Sequence, residues 1–340
     1  MSFSRIVLRV PNWLGDAVMA LPAAGAVRRH FADAALTVAA PASVAPLFAE
    51  ATGLDPSDTL VLPGSRRAQQ AALANGRFDL AILLTNSFGS AWIARRAGIG
   101  ERWGYRADFR GWLLSRAVSR PRGRVHQAEY YRRLVAGLGV EAEPGLPRVE
   151  VTEATRRRAE DLLAQHGWDR RAPLVGLAPG AVYGHAKRWP PSRAGELVAR
   201  LAERGVTAVL VGAAGDRDAG REIESTSARA GGRAPRLINL IGQTDLRLAM
   251  GVMASCRAFV SNDSGALHLA AAVGLPVVAI FGPTDERVTA PLGDHDLIAH
   301  RVFCRPCMLR DCPIDHRCMK GITSAMVFDA LARRLDRSTV

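Results

Sequence analysis

The chain has 340 residues, of which 48% are hydrophobic and 23% are charged, and this balance indicates a globular protein rather than a disordered chain. No apolar run reaches the roughly 18 residues that a membrane-spanning helix needs, and the first residues lack a signal-peptide pattern, so we expect a cytoplasmic location. The net charge of +13 favours an anionic partner, which could be a nucleotide, a phosphorylated lipid, a membrane surface or a nucleic acid.

The first half of the chain alternates short apolar runs with helical stretches. Strands are predicted at 5–10, 36–41, 59–63 and 79–85, and helices at about 17–31, 43–51, 66–75, 87–97 and 126–138. Near-continuous apolar strands with helices between them indicate a buried parallel sheet. The composition then changes in 141–151, which holds two prolines and is typical of a connection. A polar helix is predicted at about 153–166, and we place the hinge near residue 168.

A second series of strands and helices follows the hinge. Strands are predicted at 174–178, 207–211, 237–240, 258–261 and 277–281, and helices at about 191–204, 216–230, 246–255, 265–274 and 323–336. This order is typical of a doubly wound sheet. We therefore predict an α/β protein with two Rossmann-like domains, 1–168 and 169–340, which face a central cleft. In such sheets ligands bind at the carboxyl ends of the strands, where two domains meet.

The segment PNWLGDAVMALPA, residues 11–23, follows the first strand and opens a helix. Gly15 allows a tight turn, and Asp16 lies at a helix N-terminus, which lowers the pKa of a carboxylate. An ionised Asp16 could act as a general base toward an acceptor hydroxyl, and a helix cap is the structural alternative. The turn is not GxGxxG, so a nicotinamide-binding site is poorly supported.

The segment GLAPGAVYGHAKRWPP, residues 176–191, follows the first strand of the second domain. Gly180 and the neighbouring prolines keep the backbone open, and Lys187 is one of only two lysines among 45 basic residues. A compact ammonium suits a diphosphate leaving group, on which negative charge grows as the bond breaks. A solvated lysine in an ordinary loop is the alternative.

Two further turns follow strands of the second domain. In SNDSGALHLAAAVGLPVVAIFGPTD, residues 261–285, Ser264 and Gly265 open a helix whose N–H groups suit a phosphate. Asp263 could accept hydrogen bonds from sugar hydroxyls, whereas His268 could equally be a satisfied core residue. In VGAAGDRD, residues 211–218, Asp216 is placed like an acid that holds a ribose hydroxyl, and a helix cap is the alternative.

Four cysteines cluster in the segment 304–318. Cys304, Cys307, Cys312 and Cys318 are compatible with a structural zinc site, with reduced structural thiols or with disulfides, and a reducing cytoplasm disfavours the last of these. The spacing lacks a second CxxC, so we assign no catalytic role to this loop.

Arginines are frequent in the first domain. Most are expected on a solvated face, and some could bind acceptor phosphates, because the guanidinium fork matches phosphate oxygens. The arginine-rich segments are 66–67, 95–96, 102–106 and 116–124. Aromatic residues make up only 6% of the chain, which counts against a single-stranded nucleic-acid platform.

Read together, PNWLGDAVMALPA, TNSFGSA (85–91), PGAVYGHAKRWP and the 261–285 segment resemble the bacterial lipopolysaccharide heptosyltransferases of glycosyltransferase family nine. The order and spacing agree across roughly residues 5–290, and the PNWLGD form is closer to the type II members than to the type I members. The resemblance implies a GT-B fold and an inverting transfer from ADP-heptose to a lipid A–core acceptor, with no metal or other cofactor required. It also implies a final helix, 323–336, that packs back on the N-terminal domain.

The resemblance also assigns roles to residues of this sequence. Asp16 corresponds to the catalytic base and Lys187 to the diphosphate-binding lysine, while the other donor-binding positions are Gly180, Asp216, Asp263, Ser264, Gly265 and His268. The N-terminal domain binds the acceptor, and its candidate contacts are Asn12, Gly15, Asn86 and Arg120. We expect a monomer that touches the anionic inner face of the membrane transiently.

Three alternatives stay open at this point. The first is another GT-B activity, such as heptosyltransferase I or III, a different sugar transferase or a sugar-nucleotide epimerase. The second is a basic nucleic-acid-binding protein, which rests on the net charge alone. The third is a zinc-dependent interaction module on an inactive transferase scaffold, which rests on the four cysteines.

Overall fold

A computed structural model describes residues 3–50, 52–230, 234 and 236–337, and the chain divides into two compact units, Met1–Glu150 and Val151–Val340. The division falls before the boundary predicted near residue 168. The reason is the helix Glu153–Gln165, which packs against the helix Leu246–Ala254 of the second unit. The two helices approach so closely that a Cβ added to Gly251 would lie 2.7 Å from the Cβ of Ala159.

The first unit contains a parallel sheet of six strands in the order β3-β2-β1-β4-β5-β6. The central strand β1 pairs in parallel with β2 and β4, so that Leu8 lies opposite both Val38 and Ile82, and all three side chains are fully buried. The strands are β1 (Arg5–Arg9), β2 (Ala35–Pro41), β3 (Asp58–Leu62), β4 (Leu80–Leu83), β5 (Glu101–Arg106) and β6 (Arg116–Ser119).

The helices of the first unit are α1 (Leu14–Met19), α2 (Leu21–His30), α3 (Arg66–Asn75), α4 (Phe88–Arg96) and α5 (Gln127–Gly137). The single helix predicted over 17–31 is therefore wrong: it is two helices that meet at Ala20, with Pro22 in the first turn of α2. Proline lacks the N–H that would continue the earlier helix, so it is tolerated only where a new helix begins. The helix predicted at 43–51 is a short 3₁₀ turn, Ala45–Ala49.

The second unit contains another parallel sheet of six strands, in the order β12-β11-β10-β7-β8-β9. Its strands are β7 (Leu174–Ala178), β8 (Thr207–Leu210), β9 (Leu237–Asn239), β10 (Ala258–Asn262), β11 (Val277–Phe281) and β12 (His295–Ala299). Its helices are α6 (Glu153–Gln165), α7 (Pro191–Glu203), α8 (Arg217–Arg229), α9 (Leu246–Ala254), α10 (Gly265–Ala272), α11 (Glu286–Thr289), α12 (Arg317–Lys320) and α13 (Ser324–Arg337). Strands β7, β10 and β11 are buried along their whole length, as the near-continuous apolar runs predict.

The last helix, α13, is part of the core of the second unit. Val327, Ala330 and Leu331 are fully buried and cluster with the side chains of α7, β10 and β11. The Arg334 guanidinium also pairs with Asp294 and with Asp296, whose Oδ2 lies 2.8 Å from the arginine Nε. Packing of this helix on the first unit stays a prediction.

The candidate site residues follow strands at the carboxyl edge of their own sheet. In the first unit they come after β1, β4 and β6, and in the second unit after β7, β8 and β10. This is the edge at which open α/β sheets bind ligands. None of the helices in the described ranges combines the length and the apolar character that crossing a membrane requires.

Candidate active site

One buried side chain fixes the loop that follows β7 to the end of β10. The Asn262 amide donates from Nδ2 to the Pro179 carbonyl at 2.7 Å, and its Oδ1 accepts the backbone N–H of Trp189 at 3.1 Å. The Trp189 indole is also buried and donates to the Ile322 carbonyl at 2.9 Å. Because both ends of the loop 179–189 are held, the glycine-rich segment between them lies at the carboxyl edge of the sheet.

Lys187 ends a 3₁₀ turn of this loop and forms an ion pair with Asp263. Lys187 Nζ lies 2.7 Å from Asp263 Oδ2, and the two side chains are only 11% and 4% exposed. The ammonium also lies 4.5 Å from the centroid of the Tyr183 ring, which is a cation–π distance. Two motifs that are 76 residues apart in sequence therefore meet at one point, and the solvated-loop alternative for Lys187 is wrong.

Asp263 is the centre of a small polar cluster. The Thr289 hydroxyl donates to Asp263 Oδ2 at 3.3 Å, and His268 Nε2 lies 3.9 Å from Oδ1. The His268 ring is 4% exposed, so it is buried in α10 and also faces the carboxylate. This arrangement makes Asp263 an acceptor that is already bound by a cation and a hydroxyl.

The N-terminus of α10 lies next to Asp263. Ser264 is the N-cap residue, but its side chain makes no capping hydrogen bond to the helix; its Oγ instead lies 3.0 Å from Ser261 Oγ. Gly265 is the first helical residue. The first N–H groups of a helix have no partner within it and carry a partial positive charge, so this end of α10 suits an anion.

Asp216 and Gly180 lie close together, at the ends of β8 and β7. A Cβ added to Gly180 would lie 2.2 Å from Asp216 Oδ2, so only glycine leaves room for this carboxylate. Asp216 Oδ2 accepts the N–H of Ala213 at 3.2 Å, and Arg188 Nη2 lies 3.5 Å from Oδ1. Asp216 does occupy the N-cap position of α8, but its side chain makes no capping hydrogen bond there. The Arg188 Nε is buried and has no hydrogen-bond partner among the described residues.

In the first unit, Asp16 is the third residue of α1, whose N-cap is Trp13. The Tyr131 hydroxyl donates to Asp16 Oδ1 at 3.5 Å and accepts a hydrogen bond from Gln127 Nε2 at 2.9 Å. Burial, together with the Asp16 charge, raises the pKa of Tyr131 well above its usual value. The phenol is therefore protonated at neutral pH and stays a donor toward the Asp16 carboxylate.

The other first-unit residues also meet α5 or the end of β1. Asn86 Nδ2 donates to the Tyr130 hydroxyl at 2.9 Å, and Arg120 hydrogen-bonds the same hydroxyl. The Asn86 Oδ1 is buried without a hydrogen-bond partner among the described residues. Asn12 accepts a hydrogen bond from Arg9. The remaining candidate, at position 15, is the second residue of α1.

The sequence interpretation missed several neighbours of these residues. Tyr183 and Arg188 lie inside the segment 176–191, so the sequence alone could have identified them as candidate site residues. Thr289 lies outside every motif, and Tyr131 lies in the helix predicted at about 126–138, where no site residue was proposed. Such contacts depend on distant segments of the chain, and periodicity does not report them.

The cysteine loop offers no preformed metal site in the part of the chain that the structure describes, because no three His, Cys, Asp or Glu side chains are arranged to hold an ion. All its cysteines are free, and the disulfide alternative is not seen. The Cys312 sulfur accepts the backbone N–H of His316 at 3.3 Å.

Two parallel six-stranded α/β sheets, a lysine–aspartate pair beside a helix N-terminus and a carboxylate on the first helix define a GT-B glycosyltransferase. The sequence matches the model of glycosyltransferase family 9 (heptosyltransferase) over residues 66–317, and the chain belongs to this family. The predicted fold class and the predicted family are confirmed, and the enzyme is favoured over the nucleic-acid-binding alternative.

Individual relatives agree with this assignment. The chain is 33% identical over 306 residues to lipopolysaccharide heptosyltransferase 2 of Escherichia coli K12, with 85% of each chain covered. It is 32% identical over 311 residues to lipooligosaccharide heptosyltransferase 2 of Haemophilus ducreyi, with 86% of this chain and 88% of that protein covered. The structure of E. coli ADP-heptose LPS heptosyltransferase II superimposes with a TM-score of 0.83 and 29% identity, covering 99% of this chain and 100% of that one.

Proposed function

We propose that the protein transfers a heptose from ADP-L-glycero-β-D-manno-heptose to the first heptose of the lipopolysaccharide inner core, with inversion and without a catalytic metal. The relatives that align over most of the chain carry the name heptosyltransferase 2, which supports this donor and this acceptor. The observation that carries the proposal is the buried Lys187–Asp263 pair beside the N-terminus of α10.

The second unit binds the sugar nucleotide. The Lys187 ammonium and the first N–H groups of α10 neutralise the diphosphate, because both present fixed positive charge. Asp216, for which Gly180 leaves space, accepts hydrogen bonds from the ribose. The cluster of Asp263 and His268 accepts and orients hydroxyl groups of the heptose, while Ser264 and Gly265 supply the backbone at the helix end.

Asp16 is the general base of the reaction. It takes the proton from the acceptor hydroxyl as the oxygen attacks the anomeric carbon, and the bond from that carbon to the diphosphate breaks on the opposite face. The Tyr131 hydroxyl donates to Oδ1 of this carboxylate and helps to hold it in place. Negative charge grows on the departing ADP, where Lys187 and α10 stabilise it more strongly than in the ground state.

The acceptor binds on the first unit. Asn12, Gly15, Asn86 and Arg120 are its contacts. Because this acceptor is a lipid A–core molecule, we place the enzyme in the cytoplasm, as a monomer in transient contact with the anionic inner face of the membrane.

The decisive experiment is incubation with ADP-heptose and heptosyl-Kdo₂-lipid A, followed by mass analysis for one added heptose. Kdo₂-lipid A without heptose, and a core that already has two heptoses, test the heptosyltransferase I and III alternatives. The proposal is contradicted if a product forms only with Kdo₂-lipid A, only with the core that has two heptoses, or only with a different sugar nucleotide.

The Asp16→Asn variant tests the role of the base. Asparagine keeps the shape but cannot take a proton, so turnover should fall at least about 100-fold while ADP-heptose affinity changes little. Asp33→Asn, at an exposed carboxylate of the same unit, is the matched control. Full turnover in the Asp16→Asn enzyme would exclude the base role.

A further inference from the structure

The first unit exposes a cluster of large aromatic side chains that the transfer reaction does not use. Phe88, Trp92 and Trp112 have ring centroids 6.1 to 6.5 Å apart. They are 40%, 41% and 60% exposed, and Phe109, in the same connection as Trp112, is 96% exposed. We call these four residues the aromatic patch. Phe88, Trp92 and Trp112 form a contiguous exposed apolar surface, and such a surface marks an interaction site rather than scattered exposure.

The surroundings of the aromatic patch are strongly basic. The segments 64–77, 87–98 and 106–116 form α3, α4 and the connection after β5, which pack on one another. Together they contain eight arginines, seven of them exposed and one, Arg110, fully buried, and a single acidic residue, Asp108. The Arg95 guanidinium lies 5.3 Å from the centre of the Trp112 ring, and Arg66 lies 4.0 Å from the Cβ position of Gly89, beside Phe88. Cationic side chains therefore border the exposed rings.

We propose that the aromatic patch docks the protein on an anionic lipid bilayer. Tryptophan rings partition into the interface between lipid and water, and arginines are attracted to anionic headgroups while their aliphatic stems cover apolar surface. The patch joins both features on one unit. The inference rests on the proposed function, because an acceptor anchored in a membrane must be met at the membrane surface.

Vesicle flotation with the full-length chain tests this assignment. Phosphatidylcholine vesicles that contain phosphatidylglycerol should carry the protein to the top of the gradient, and pure phosphatidylcholine vesicles should not. The Phe109→Ala/Trp112→Ala variant should lower the partition coefficient at least about tenfold, because it removes apolar area from the contact. The Arg66→Gln/Arg95→Gln variant should lower the partition coefficient about 30-fold, because it removes two arginines that are each attracted to the anionic surface.

Matched controls lie in the second unit. Phe303 is 81% exposed and Arg171 and Arg229 are exposed, so Phe303→Ala and Arg171→Gln/Arg229→Gln should float like the unaltered protein. Equal flotation on neutral vesicles, or unchanged flotation of both patch variants, overturns the proposal. Circular dichroism and thermal unfolding confirm that each variant is folded.

A deacylated, water-soluble acceptor separates docking from catalysis. The Phe109→Ala/Trp112→Ala variant should keep normal turnover with this acceptor and lose turnover with an acceptor embedded in anionic vesicles. An equal loss with both acceptors means that the rings bind the saccharide, and it overturns the docking surface. If the unaltered protein floats as expected but transfers no heptose to either acceptor, the proposed function fails and the docking surface stands.

Discussion

Replacing Lys187 by methionine removes a charge from the best-buried ion pair of the second-unit site and keeps most of the side-chain volume. Among the described residues, Asp263, which is 4% exposed, would then retain the Thr289 hydroxyl at 3.3 Å and the His268 ring at 3.9 Å. The hydroxyl carries no charge, and the carboxylate would lose the ammonium that lies 2.7 Å from it. The carboxylate would be left buried and uncompensated.

The distance sets the size of the effect. Two unit charges 2.7 Å apart attract by about 6 kcal/mol at an effective dielectric constant near 20, and desolvation of both groups opposes this gain. Removing one partner of a buried pair lowers the free energy of unfolding by about 3–5 kcal/mol. Because Lys187 keeps 11% exposure, we expect the lower end, about 3 kcal/mol.

Urea unfolding at pH 8 measures this value for Lys187→Met, for Asp263→Asn and for the double variant. The double variant should lose less than about 1.5 kcal/mol, because it leaves no unpaired charge in the interior. Lys320→Met, at the only other lysine and an exposed position, is the control. A loss below about 1 kcal/mol in Lys187→Met, or full additivity of the two single variants, would refute the reasoning.

The same variants report on nucleotide binding. ADP at about 100 times its dissociation constant should stabilise the unaltered protein and the Lys320→Met control by about 2.7 kcal/mol. In Lys187→Met this stabilisation should fall sharply, because the diphosphate loses its ammonium partner. An unchanged stabilisation by ADP would remove Lys187 from the donor site even if the loss of folding stability is as large as expected.

Two further predictions concern the second unit. Gly180→Ala places a methyl group 2.2 Å from Asp216 Oδ2. In urea titrations its free energy of unfolding should fall by about 1–3 kcal/mol, and its ADP affinity should drop. Gly215→Ala, which has open space at the Cβ, is the control, and its free energy of unfolding should stay within about 0.5 kcal/mol of the unaltered protein. Iodoacetamide labelling of the native protein, followed by mass spectrometry, should modify Cys312 first, because backbone N–H groups lower its thiol pKa, and should spare Cys256, whose pKa burial raises to about 12. The opposite order would contradict the thiol environments.

Much of the fold could be predicted from the sequence because buried parallel strands such as β7 and β11 are continuous apolar runs. Strands β5, β6 and β12 were missed because they contain arginine, glycine, histidine or aspartate and lie at or next to the edges of their sheets, where burial is partial. The polarity of the side chains predicts such strands poorly, because pairing with a neighbouring strand, and not burial, makes these segments extended.

The candidate site likewise has features that the sequence predicts and features that it does not. Asp16 and Lys187 were recognised as candidates because each follows a strand in a turn rich in glycine or proline. Their contacts were not predicted, because Tyr131 and Asp263 lie far away in sequence and approach only through the packing of α5 and the pairing of β7 with β10. A single sequence without an alignment carries no signal for such pairs.

The Asn262 amide has a kinetic consequence. By holding both ends of the loop 179–189, it keeps the ammonium-bearing turn ordered before any nucleotide arrives. Association with ADP then involves little loss of loop entropy, and encounter rather than rearrangement limits the on-rate. An aspartate at this position would accept the Trp189 N–H but would face the Pro179 carbonyl with a second acceptor, so the turn would become mobile and association would slow.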